Sequence, residues 1–91
     1  MSGGSGYPEG WNEVEGALER RFRFEDFKQA MAFVNRLAEA AEEANHHPDV
    51  SISWNRVTVR WWTHVAQAIS ERDVEMARRT DALADEVPPA A

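Results

Sequence analysis

The sequence of 91 residues contains no cysteine, and its basic residues are outnumbered by its acidic ones. Without cysteine there can be no disulfide and no thiolate ligand, which is typical of a reducing compartment, so we expect a cytoplasmic location. The chain carries 10 Lys and Arg residues against 16 Asp and Glu residues, for a formal net charge of −6. Because phosphate contacts require clustered Lys and Arg, this balance argues against direct binding of nucleic acid.

Long apolar runs are also missing. No stretch approaches the ~20 apolar residues that cross a bilayer, and the N-terminal end lacks the apolar core of a signal peptide, so no membrane association is expected. Glycine, serine and proline are concentrated at the two ends of the chain. We therefore predict a disordered leader over residues 1–10, a single folded domain over 11–87 and a disordered tail over 88–91.

Hydrophobic residues make up 43% of the sequence, which is sufficient for a packed core. The first part of the predicted domain alternates imperfectly between apolar and charged residues. This alternation predicts two short strands, residues 11–14 and 18–24, joined by a turn at Glu15-Gly16.

A long helix is predicted next, beginning at Glu25 or Asp26. Apolar residues recur at three- and four-residue spacing over 27–44 and occupy two faces of this helix. We expect one face to pack on the sheet and the other on a second subunit. Pro48 disfavours the α conformation at the residue before it, so the helix is expected to end near Asn45 or His46.

A second hairpin follows the long helix. Alternating apolar and polar residues predict strands over Val50–Trp54 and Val57–His64, with a tight turn at Asn55-Arg56. Within the second strand, the alternation places Trp61 in the core. Trp62 then shares the face of His64, where it can form a pocket wall or a subunit interface or can simply be partly exposed.

Ser70 and Asp73 mark the start of the last helix, because their types and spacing fit a capping box. The elements follow the order ββαββα. This order predicts an α+β fold of two layers, in which the helices pack on one face of a four-stranded antiparallel sheet.

The three histidines, His46, His47 and His64, are the residues best suited to proton chemistry, since only imidazole has an unperturbed pKa near neutral pH. Their spacing alone leaves three interpretations open. An imidazolium near a helix C-terminus is favoured by about 0.3–1 kcal/mol, so the His46-His47 pair can simply end the helix. Three histidines can also ligate zinc with a water in the fourth position, although adjacent residues rarely direct both rings at one ion.

The third interpretation is general acid–base catalysis without a cofactor. Two neighbouring imidazoles disfavour simultaneous protonation, so one can act as the acid and the other as the base. Glu42 lies one helical turn before His46 on the same face, where its carboxylate can hold one imidazolium and fix a tautomer.

Several short motifs occur in a fixed order along the chain. They are Phe22-Arg23-Phe24 before Phe27, Glu42 to Asp49 with its His-His-Pro, Trp54-Asn55-Arg56-Val57, Thr63-His64, and Ser70-Glu71-Arg72-Asp73. Together they resemble the pterin-4a-carbinolamine dehydratase family over most of the chain. That family carries a His-His-Pro motif after its long helix, then an aromatic-Asn-x-Val strand, and then a Thr-His strand end before a capped helix.

The resemblance implies dehydration of 4a-hydroxytetrahydropterin to quinonoid dihydropterin, the recycling step after an aromatic amino acid hydroxylase, with neither metal nor cofactor. It implies that His46, His47 and His64 are catalytic. Our own hypothesis is that His46 and His64 form the proton-transfer pair, while His47 positions the substrate or shares the acid role. Glu42, Thr63 and Trp62 are the expected substrate-binding residues. Family members are commonly tetramers built around their long helices, so a homo-oligomer, either a dimer or a tetramer, is expected.

The resemblance also implies a rival function. Some proteins with this fold act as non-catalytic assembly factors for a carbon-fixing enzyme, and one helps a transcription factor to dimerise. Such degenerate members tend to lose the histidines of the pocket. Because this sequence retains all three histidines, the dehydratase function is favoured over the role of a non-catalytic assembly factor.

Overall fold

The computed structural model describes residues 6–87, in which two antiparallel hairpins and two helices form the fold. The elements are β1 Asn12–Val14, β2 Ala17–Arg23, α1 Phe27–Ala44, β3 Asp49–Ser53, β4 Arg56–Trp61 and α2 Glu71–Glu86. The strands form one sheet in the order β1-β2-β4-β3, and every neighbouring pair is antiparallel. The predicted two-layer α+β fold and its ββαββα order are therefore confirmed.

The core lies between the sheet and the two helices. Residues that are paired across β2 and β4 share a face, and those facing the helices are almost entirely buried: Leu18 with Trp61, and Phe22 with Val57. The helices contribute the opposite side of the core with Ala30, Phe33, Leu37, Ala40, Ala41, Met76 and Ala77. Trp61 is fully buried, so its predicted place in the core is confirmed.

Helix α1 begins at a side-chain cap, Asp26, and ends at a left-handed turn residue, Asn45. Asp26 is the N-cap, and its Oδ1 accepts a hydrogen bond of 2.8 Å from the backbone N–H of Gln29. At the other end, Asn45 adopts a left-handed conformation with φ of 54°. The backbone N–H groups of Asn45 and His46 then bond to the carbonyls of Glu42 and Ala41, which is a Schellman motif. Because this motif reverses the chain, His46 leaves the helix axis and turns toward the sheet.

Most predicted boundaries were wrong by one or two residues, and the predicted end of β4 was wrong by three. The hairpin turn is Trp54-Asn55, because the side-chain amide and backbone carbonyl of Asn55 are both bonded to the backbone of Phe24. Strand β4 ends at Trp61, and His64 lies in a turn. Thr63 pairs with Ala68 in an isolated bridge, so the residues between them bulge away from the sheet.

The predicted leader is only partly covered by the structure. Tyr7 packs against the core, and the backbone N–H of Trp11 bonds to the carbonyl of Pro8 at 3.1 Å. Residues 1–5 of the predicted leader and the predicted tail, 88–91, lie outside the described residues. In the described part of the chain, neither helix is both long enough and apolar enough to cross a membrane.

Candidate active site

All three histidines line one open hollow of about 230 Å³. The hollow lies between the turn that follows α1 and the turn that follows β4. Its lining consists of Asn45, His46, His47, Thr63, His64, Val65 and Arg72. Residues separated by up to 27 positions therefore meet here. The start of β3 pairs with the end of antiparallel β4, Asp49 with Arg60, so the turn that follows α1 and the turn that follows β4 lie at the same end of the sheet.

His46 is the most buried of the three imidazoles, with 8% of its surface exposed. Its Nε2 lies 2.6 Å from Oδ1 of Asp73, and its ring stacks on Trp61 with 5.4 Å between centroids. The other ring nitrogen, Nδ1, has no partner within residues 6–87. Since no fully buried side-chain nitrogen or oxygen there lacks a partner, Nδ1 is not fully buried, and His46 lines the hollow.

Asp73 is fully buried and connects three parts of the site. Its Oδ1 faces His46, while its Oδ2 accepts hydrogen bonds of 2.8 Å from both the backbone N–H of Ser70 and the hydroxyl of Thr63. A carboxylate that accepts the imidazole N–H fixes the tautomer and orientation of the ring. The spacing of Ser70 and Asp73 predicts the capping box but not the contact of Asp73 with His46, because a cap spacing describes only local geometry.

His47 and Glu42 form a second pair, with Nε2 2.7 Å from Oε2. Both side chains are largely exposed, so this pair contributes little stability but can orient the ring. The sequence placed Glu42 on the face of His46. The Schellman motif instead turns His46 inward, and His47 is left beside Glu42. Glu42 borders a neighbouring apolar hollow rather than the one that the histidines line.

His64 is exposed at the rim and contacts Trp62, whose ring centroid is 4.1 Å from that of the imidazole. The indole Nε1 of Trp62 donates to Oδ2 of Asp49 at 3.0 Å. Trp62 therefore supports His64 from outside the hollow and does not line it. Thr63, in contrast, lines the hollow and donates to Asp73.

Arg72 supplies the one guanidinium of the hollow's lining. Its Nη2 donates to the carbonyl of Ala44 at 2.9 Å, so it stabilises the C-terminal end of α1 while adding positive charge beside the histidines. No pattern in the sequence indicates this role beyond the position of Arg72 in the Ser70–Asp73 motif.

The imidazoles surround a space instead of converging on one point. Within residues 6–87, no group of three or more His, Cys, Asp or Glu side chains has the arrangement needed to hold a metal ion. A larger hollow of about 840 Å³ runs along β2 and the end of α2, but its lining contains no histidine. The histidine hollow is therefore the candidate for acid–base chemistry on a small molecule.

A two-layer α+β domain with a His-His-Pro turn after its long helix defines the pterin-dehydratase class of proteins. The model of the family "Pterin 4 alpha carbinolamine dehydratase" matches residues 5–83, and this chain belongs to that family. Two curated relatives are both named, provisionally, as pterin-4-alpha-carbinolamine dehydratases. The relative from Thermosynechococcus vestitus is 51% identical over 82% of this chain and 79% of its own length. The relative from Thermomicrobium roseum is 52% identical over 82% of this chain and 81% of its own length.

Two solved structures have the same fold. A transcriptional coactivator/pterin dehydratase from Brucella melitensis superposes with a TM-score of 0.80 at 38% identity, covering 84% of this chain and 83% of the other. A pterin dehydratase-like protein described as a RuBisCO assembly factor in the α-carboxysome superposes with a TM-score of 0.68 at 28% identity. That match covers 81% of this chain and 86% of the other.

Proposed function

We propose that this protein is a 4a-hydroxytetrahydropterin dehydratase that releases quinonoid dihydropterin and water, and that it acts in the cytoplasmic recycling of tetrahydropterin. The observation that carries the proposal is the placement of His46, His47 and His64 around one hollow, with two of the three rings each held by a carboxylate of its own. Membership of the family supplies the substrate class.

The reaction requires one proton to be delivered and another to be removed. The C–O bond at the 4a carbon breaks as the hydroxyl leaves as water, so an acid must protonate the oxygen. A C=N bond forms as a ring nitrogen loses its proton to a base. We assign these two roles to His46 and His64, which approach the hollow from the α1 turn and the β4 turn respectively. Neither role requires a cofactor.

The remaining residues position the reactants. His47, tethered to Glu42, orients the substrate or shares the acid role. Thr63 fixes Asp73 and borders the substrate, and Trp62 holds His64 through ring contact. The guanidinium of Arg72 faces the hollow, where it can donate a hydrogen bond to an acceptor of the pterin ring such as its carbonyl oxygen.

The direct test is turnover of freshly generated 4a-hydroxytetrahydropterin by the wild type in the presence of a chelator. We expect activity that survives chelation and falls by about 100-fold or more in His64→Ala, because a general acid or base contributes about this much. Gln67→Ala is the matched control, since Gln67 is exposed in the same turn but does not line the hollow. A folded wild type without turnover would contradict the proposed dehydratase activity.

The second candidate function is a non-catalytic binding module, and the fold shared with a protein described as a RuBisCO assembly factor favours it. The two candidates differ in whether the hollow binds a pterin. A ligand that binds only the folded state raises its melting temperature. A melting temperature unchanged by saturating pterin, together with absent turnover, would favour the binding module.

We also propose that the protein is a homo-oligomer, a dimer or a tetramer. The support is an apolar surface beside the core: Val50 and Ile52 of β3 are each 38% exposed, and Phe27 of α1 is 51% exposed. An apolar hollow of about 220 Å³ lies between α1 and β3. Sedimentation velocity is expected to give a dimer or tetramer at micromolar protein, and a monomer across that range would contradict this.

A further inference from the structure

The face of the sheet that points away from the helices carries an ordered grid of polar side chains. Strand alternation places nine residues of β2, β4 and β3 on this outer face, and the register arranges them in three rows. The rows are Arg23, Arg56 and Ser53, then Arg21, Thr58 and Ser51, then Glu19, Arg60 and Asp49. This face therefore holds four arginines and two carboxylates in a chain whose net charge is −6.

Both carboxylates of the grid are already engaged. Glu19 pairs with Arg60 at 3.0 Å, and Asp49 accepts the indole N–H of Trp62 at 3.0 Å. Within residues 6–87, Arg21, Arg23 and Arg56 form no ion pair, and all three are exposed. We call these three residues the arginine triplet.

The arginine triplet is unfavourable for folding. Arg23 lies directly opposite Arg56 in the β2–β4 register, and like charges at directly opposed positions destabilise a sheet. Arg21 stands two residues along the same strand and face, about 7 Å from Arg23. Glu19 stands two residues from Arg21 on the same face, but it is paired with Arg60, and Asp49 accepts from Trp62, so neither carboxylate of the grid forms an ion pair with the triplet. A local arrangement that works against stability without a compensating contact is characteristic of a functional surface.

We propose that the outer face of the sheet binds an acidic, extended segment of a partner polypeptide through Arg21, Arg23 and Arg56. An extended peptide presents alternate side chains on one face about 7 Å apart, the same spacing that separates Arg21 from Arg23. Ser51, Ser53, Thr58, Arg21 and Arg56 border a shallow hollow of about 250 Å³. These short hydroxyl side chains leave room for a carboxylate to reach a guanidinium and accept a hydrogen bond from a hydroxyl.

Charge complementarity favours a polypeptide over nucleic acid. The triplet is small and is surrounded by a protein of net charge −6, so its field extends only about a Debye length, ~10 Å at 0.1 M salt. Nucleic acid carries a charge every ~1.7 Å along its axis and would bring most of its phosphates against the acidic remainder of the surface. A peptide with two or three carboxylates matches the triplet without this repulsion.

The test is fluorescence anisotropy with a labelled peptide in which glutamate alternates with threonine. We expect binding that weakens as salt is raised, and an affinity about tenfold or more lower in the triple variant R21Q/R23Q/R56Q. The matched control is K28Q/R78Q, which removes two exposed cations of the helices that also form no ion pair within residues 6–87. The control is expected to bind like the wild type. The triple variant is also expected to melt no lower than the wild type, because the opposed charges are gone.

The proposal would be overturned if the wild type did not bind the peptide at low salt, or if the triple variant bound it as tightly as the wild type does. Equal or tighter binding of a thymidine oligonucleotide through the same arginines would replace the peptide with nucleic acid. Self-association that is lost in the triple variant would replace it with a second copy of this chain. The proposal is independent of the dehydratase, since no residue of the triplet lines the histidine hollow, and turnover by the triple variant is expected to be unchanged.

Discussion

His46→Ala is expected to lower kcat by about 100-fold to 10,000-fold, the range that a positioned general acid or base contributes. His46 is the imidazole that the fold holds most firmly, because it is buried, stacked on Trp61 and bonded to Asp73. Its accessible Nδ1 is therefore presented to the hollow in one orientation. Steady-state turnover of 4a-hydroxytetrahydropterin, with circular dichroism to verify folding, measures the effect.

His47→Ala is the matched control for this prediction. His47 is adjacent in sequence and lines the same hollow, but more than half of its side chain is exposed, and its partner, Glu42, is more exposed still. We expect His47→Ala to raise KM more than it lowers kcat, because a loosely held ring binds substrate and transition state similarly. Loss of kcat in His47→Ala with turnover retained in His46→Ala would reverse the roles of the two rings.

The sequence was sufficient for the layer architecture because its periodicities are local and unambiguous. The alternation over 56–61 and the three- and four-residue spacing over 27–44 predict a strand and a helix without any tertiary information. The His-His-Pro segment also fixed the end of α1 to within two residues. The proline signal did not reveal the left-handed Asn45, and this one residue decides that His46 turns inward while His47 stays beside Glu42.

The contacts that complete the candidate site could not be predicted from spacing. His64 was assigned to a strand, since its neighbours alternate, but the Thr63–Ala68 bridge ends the sheet and moves it into a turn. The contact of His46 with Asp73 joins residues 27 positions apart and depends on how α2 docks. Such contacts follow from tertiary packing, so a resemblance to a family can indicate which residues matter but not which side chains touch.

Asp73→Asn is expected to reduce kcat almost as much as loss of His46 itself, on the order of 10²–10⁴, with little loss of folding. The asparagine carbonyl can still accept the backbone N–H of Ser70, which preserves the cap of α2. Its amide NH₂ then points at Nε2 of His46. Because an amide nitrogen only donates, Nε2 must become the acceptor, and the ring proton moves to Nδ1.

The exchange of tautomers in Asp73→Asn changes which nitrogen of His46 can accept a proton. The carboxylate of Asp73 accepts, so a neutral His46 ring keeps its proton on Nε2, and the accessible Nδ1 then has the lone pair that can take a proton from the substrate. In Asp73→Asn the accessible nitrogen is already protonated, so a neutral ring can no longer act as a base. Two-dimensional ¹H–¹⁵N NMR of the imidazole nitrogens reports this exchange of tautomers directly, independently of turnover.

Ser70→Ala separates capping from catalysis. It removes the Ser70 hydroxyl, which lies 2.6 Å from the hydroxyl of Thr63, but leaves Asp73 free to contact His46. We expect it to cost about 0.5–2 kcal/mol of stability, as the loss of an N-cap does, while kcat and the His46 tautomer are retained.

A tautomer that switches in Asp73→Asn without loss of turnover would mean that Nδ1 of His46 is not the atom that moves the proton. The proton-transfer pair would then have to include His47 in place of His46, because His47 and His64 are the only other imidazoles that line the hollow.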